Sequence, residues 1–70
     1  MTAPIRYQFL IDGDVLTRVS GIFPNMHVTP TSSGCTSLHG PIADYVEMRS
    51  IMARLDSLGL TIAELRKLPD

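Results

Sequence analysis

Met26-His27-Val28-Thr29-Pro30-Thr31-Ser32-Ser33-Gly34-Cys35-Thr36-Ser37-Leu38-His39 is the stretch that decides the architecture. Met26 and Val28 alternate with His27 and Thr29, so the run from Met26 to Thr31 reads as a strand with one apolar and one polar side. Pro30 cannot donate to a ladder, which places that strand at the edge of a sheet. Ser32-Ser33-Gly34 suits a three-residue hairpin loop, with Gly34 in the left-handed conformation that closes such turns. The register follows from the loop. Thr31 should face Cys35, Thr29 should face Ser37, Val28 should face Leu38, and His27 should lie directly across from His39.

Upstream of the hairpin, Ile5, Tyr7, Phe9 and Ile11 alternate with Arg6, Gln8 and Asp12, the pattern of a half-buried strand, with Leu10 as the exception on the polar side. Asp12-Gly13-Asp14 then reads as a tight turn in which Asp14 caps a following helix. Val15, Leu16, Val19, Ile22 and Phe23 recur at helical spacing up to Pro24, and Gly21 inside that helix costs about 1 kcal/mol relative to alanine. Downstream, Gly40-Pro41 leads to Asp44 and Glu47, spaced as a capping box. Tyr45, Met48, Ile51, Met52, Leu55 and Leu58 form an apolar stripe, and Gly59 ends the helix. Leu60 to Leu68 reads as a last strand closed by Pro69, although Ile62, Ala63 and Leu65 break strict alternation and leave its inward side open.

Strand, helix, strand, strand, helix, strand in one domain covering residues 1–70 is the pattern of an α+β, ferredoxin-like βαββαβ fold. The expected sheet is antiparallel and four-stranded, in spatial order 4-1-3-2, with two helices on one face. Its other face would be uncovered. That face carries Arg6, Gln8 and Leu10 from the first strand, His27 and Thr29 from the second, and Cys35, Ser37 and His39 from the third.

Composition narrows the possibilities. The chain is 44% hydrophobic and 19% charged, which is ordinary for a globular domain, yet at 70 residues a single core leaves little net stability, so association is expected. Six basic and seven acidic residues give a formal charge of −1, which disfavours nucleic acid and anionic lipid as partners. A lone cysteine, no apolar run of membrane-spanning length and no leader-like features in Met1 to Pro4 point to the cytoplasm.

Function must be argued from residues, because this fold hosts many. Base stacking on the two central strands would need outward aromatics, whereas Gln8 and Ser37 occupy those positions. Metal delivery would need two thiolates after the first strand, and acyl-phosphate chemistry would be repelled by Asp12 and Asp14 there. The Asp12-Gly13-Asp14 turn is loosely similar to the ligand loop of small-molecule-sensing ACT domains, a likeness that implies an amino acid or similar ligand at a subunit interface. His27 and His39 are near enough to share a metal or to repel when protonated. Two imidazoles do not make a zinc site, and Cys35 lies roughly 13 Å along the strand from His39. No catalytic residue, metal or cofactor is expected.

Leu38-His39-Gly40-Pro41-Ile42-Ala43-Asp44, then Leu55-Asp56-Ser57-Leu58-Gly59-Leu60 and Leu65-Arg66-Lys67-Leu68, resemble a family of small uncharacterised actinobacterial proteins. Ile22-Phe23-Pro24 and Val28-Thr29-Pro30 extend the resemblance into the first half. It implies the same fold and a bacterial cytosolic origin, and carries no activity to transfer. The expectation is a non-enzymatic interaction module, a homodimer or an accessory subunit of another bacterial protein. It would act through the face of Arg6, Gln8, Leu10, His27, Ser37 and His39 or through an edge strand.

Overall fold

The computed structural model describes residues 4–69; residues 1–3, most of the segment read above for a leader, lie outside it. The elements run β1 (Ile5–Ile11), α1 (Leu16–Val19), β2 (His27–Pro30), β3 (Thr36–Ile42), α2 (Tyr45–Ser57) and β4 (Ile62–Lys67). All strand pairs are antiparallel, in the order β2-β3-β1-β4, which read from the other edge is β4-β1-β3-β2.

Alternation along β1 and β3 builds the core. Ile5, Phe9 and Ile11 oppose Ile42, Leu38 and Thr36, so one side of the central pair is apolar apart from the Thr36 hydroxyl. Val19 of α1 and Met48, Ile51 and Leu55 of α2 join Phe9, Ile11, Leu38 and Ile42 in a single buried cluster. Both helices therefore pack on that side of the sheet. At about 25 cal/mol per Å² of apolar surface, this cluster supplies most of the driving force available to so short a chain.

The first helix is shorter than its apolar spacing implies. It is a single four-residue turn, and Gly21 at φ 84° takes the chain out of helical geometry before Ile22. Asp14 does not cap it. The N-cap is Val15, whose N–H donates instead to Thr36 Oγ1 at 3.0 Å. The turn is held by tertiary contacts: Val19 is fully buried, and Arg18 Nη2 donates to Leu58 O at 2.6 Å. By contrast, α2 starts on the capping box, with Glu47 N donating to Asp44 Oδ1 and Ala43 N donating to Glu47 Oε1. Its end bonds Gly59 N to Asp56 O and Leu60 N to Leu55 O, the two bonds of a Schellman cap.

β3 continues through Gly40-Pro41 to Ile42 rather than ending at that dipeptide. Leu68 N donates to Arg6 O, which by alternation points the peptide groups of Tyr7 and Phe9 at β3, and those of Ser37, His39 and Pro41 at β2. Thr31 N donating to Cys35 O agrees with that phase. Because β2 begins opposite His39, the nitrogen of Pro41 faces no strand and forfeits no ladder bond.

The last strand spans Ile62–Lys67, narrower than Leu60 to Leu68, and its broken alternation has a cause. Leu10 pairs with Glu64 but Ile11 pairs with Ile62, so Ala63 is the extra residue of a bulge. The bulge turns Ile62 and Leu65 to the same, helix-bearing side.

Gly40 is buried where the chain entering β2 crosses it, and a Cβ there would lie 2.9 Å from both Asn25 O and Met26 Sδ. Backbone cannot yield as a side-chain tip can. Gly40→Ala should cost about 1 to 3 kcal/mol of stability, read as a lower urea midpoint with an unchanged slope. A midpoint within error of the wild type would contradict this packing.

Candidate functional site

The sheet face away from the helices arranges its side chains in rows across the strands. His27, His39, Gln8 and Arg66 form one row. Thr29, Ser37, Leu10 and Glu64 form the next, and Pro41 and Arg6 lie on the other side of the first. An open depression of about 500 Å³ on this face is lined by Arg6, Gln8, Thr29, Thr31, Ser37, His39, Arg66, Leu68 and Pro69.

Arg6, Gln8, Leu10, His27, Ser37 and His39 thus share one side as the sequence reading expects, but they are not equally accessible. Ser37 is only 3% exposed, and its Oγ accepts from Gln8 Nε2 at 2.8 Å; Leu10 is half-buried. Those two residues are floor rather than contact surface. Arg66, contributed by β4, was missing from the expected set because the bulge at Ala63 shifts which residues face outward.

His27 and His39 are direct register partners, with ring centroids 5.7 Å apart. The His39 pKa is lowered from its ordinary 6.5 first by desolvation, then by repulsion from His27 and Arg6. Among the described residues no group of three His, Cys, Asp or Glu side chains could hold a metal ion. Cys35 is a half-buried free thiol. What the row offers is donors: guanidinium, imidazole, amide and hydroxyl groups, with Glu64 as the carboxylate at its margin.

The Asp12-Gly13-Asp14 loop stands apart from that depression. Its conformation is held from below by buried Thr36, whose Oγ1 donates to Gly13 O at 2.9 Å while accepting from Val15 N. All three loop residues are exposed. A further feature escaped the sequence reading: Tyr45 is 74% exposed rather than part of the core stripe, and lines a cleft with Ile5, Tyr7, Ile42 and Met48. Helical spacing gives a direction around the axis and not the depth of burial, so it could not reveal this. Arg49 lies over the Tyr45 ring, 5.8 Å from its centroid.

A family model described as Domain of unknown function (DUF8691) matches residues 6–66. The chain belongs to that family. No curated protein and no solved structure was found to match it. The DUF8691 match encloses the open-face rows, the acidic loop and both helices, and omits only the first residue of β1 and the last of β4 among the elements. No helix among the described residues is long and apolar enough to cross a membrane.

The lowered pKa of His39 has a defined sign. Around and below pH 6.5 the unfolded chain binds more protons than the folded one, so the stabilisation is present above 6.5 and is lost as the pH falls toward the folded value. Melting temperature should therefore decline on acidification through that range, and His39→Gln should flatten this part of the profile. An unchanged profile in the variant would show that His39 does not carry the dependence.

Proposed function

We propose that this DUF8691 chain is a ferredoxin-like, cytoplasmic, non-enzymatic interaction module, a small accessory or regulatory subunit that engages protein through its open sheet face or an edge strand. The observation that carries this reading is the composition of that face: Arg6, Arg66 and His39 surround a polar depression, while the helices fill the opposite side of the sheet. Such a face favours a partner segment bearing carboxylates, because guanidinium groups pair with them bidentately. Exposed pairs of this kind weaken with salt.

The test is capture from a lysate of the source cell by wild-type protein and by Arg6→Ala/Arg66→Ala. An acidic protein retained at about 50 mM salt, released near 300 mM and held roughly tenfold less by the variant would support the reading. Equal retention of the same proteins by both chains would count against the face.

A second reading is an ACT-like sensor of an amino acid or similar ligand at the Asp12 to Asp14 loop. The hydroxyl of Thr36 favours it, because a loop fixed before binding loses less entropy on binding. Melting temperature should then rise steadily with ligand concentration in a screen of amino acids. Flat curves throughout would remove it.

A further inference from the structure

The two edges of the sheet are not alike. Pro30 of β2 opposes Thr36, and the bond from Thr31 N to Cys35 O places the Pro30 peptide on the outward side, where it has no N–H to offer. That edge is four residues long and blunted. At the other edge, Leu68 N donating to Arg6 O points the peptide groups of Glu64 and Arg66 at β1. Those of Leu65 and Lys67 consequently point away from the sheet. Leu65 is 38% exposed, an apolar side chain on an open strand.

We propose that two copies of the chain pair through β4, antiparallel about a two-fold axis at Leu65. The inference rests on the interaction-module reading and commits it to one edge and one partner. In this register Leu65 exchanges backbone hydrogen bonds with Leu65 of the second copy. Glu64 of each copy then lies opposite Arg66 of the other, at non-hydrogen-bonded positions where cross-strand side chains approach most closely. Both pairs fall on the open face, and the Leu65 side chains meet on the helix side.

The strand admits few competitors. Only registers that place outward-pointing peptides opposite each other can form a ladder. Centring the axis on Glu64 sets that carboxylate against its own copy, and centring it on Arg66 or Lys67 does the same with a cation. Centring it on Ala63 runs the pairing across the bulge. The register at Leu65 alone matches opposite charges and keeps to the regular part of the strand. Its consequence is a sheet continuous across both copies, with the two donor-rich faces joined side by side.

Charge reversal tests the register. Both Glu64 and Arg66 are exposed, so E64R and R66E leave the core untouched, which circular dichroism should confirm. In sedimentation equilibrium at low salt, wild-type protein should form dimers, and each single variant should already dissociate at a concentration about tenfold higher than the one at which the wild type does, a tenfold weaker self-association. An equimolar mixture of E64R and R66E should associate as tightly as the wild type, because each introduced charge then meets its opposite. The double variant E64R/R66E should do so alone. Dimers indifferent to all these changes would overturn the β4 register while leaving the interaction-module reading intact. A wild-type chain that stays monomeric to about millimolar concentration would overturn the register whatever it captures; one that also captures no acidic protein would overturn both.

Discussion

Phe9 against Leu38 is the contact on which the other placements depend. Both side chains are fully buried, they are direct partners on the two central strands, and the apolar residues of both helices gather in the same cluster. Because side chains alternate with period two, slipping this pair by one residue would send the inward set to solvent and bury Gln8 and His39. The pair therefore fixes far more than its own area. It sets β3 in phase, and β3 in turn sets His27 opposite His39 and Ser37 beneath Gln8.

Thr36 extends that control to the loop. It lies on the core side two residues from Leu38, where its hydroxyl has no water and must find partners within the chain. Gly13 O and Val15 N supply them. A buried hydroxyl left unpaired costs roughly 1 to 3 kcal/mol, so the turn after β1 is not free to rearrange independently of β3. This bond fixes the N-cap residue Val15 in place, although it leaves the first turn of α1 without a side-chain cap.

The hairpin and the second helix were legible because their signals are local. Ser32-Ser33-Gly34 sets loop length and register together, and Asp44, Glu47 and Gly59 each act within a few residues of where they stand. The first helix was overestimated because apolar spacing at Ile22 and Phe23 is compatible with any segment that covers a core, and only the backbone sign at Gly21 distinguishes a helix from a turn. β4 was ambiguous for a related reason. Ile62 and Leu65 cannot share a side in a regular strand, and no local residue type announces the bulge at Ala63 that lets them do so. Tyr45 is exposed although it falls on the apolar stripe: helical periodicity reports a direction around the axis without reporting how deeply each position is covered.

Net charge and local charge differ in this chain, and the reason is geometric. A formal charge of −1 sums over every side of the molecule, whereas the sheet sorts residues by face. Arg6, Arg66, His27 and His39 fall on the open side, where Glu64 is the acidic residue among the described, register-paired strand positions, while Asp44 and Glu47 serve the helix start and Arg18 serves the contact between the helices. Within a Debye length of about 8 Å a partner meets the local set and not the sum. A nearly neutral chain can thus present a cationic face, and the bulge at Ala63 completes it by bringing Arg66 into the row with His39 and Gln8. Because one residue more or less at that position would turn Arg66 toward the helices, the electrostatic character of the face depends on an irregularity in the strand as much as on the residues that strand contains.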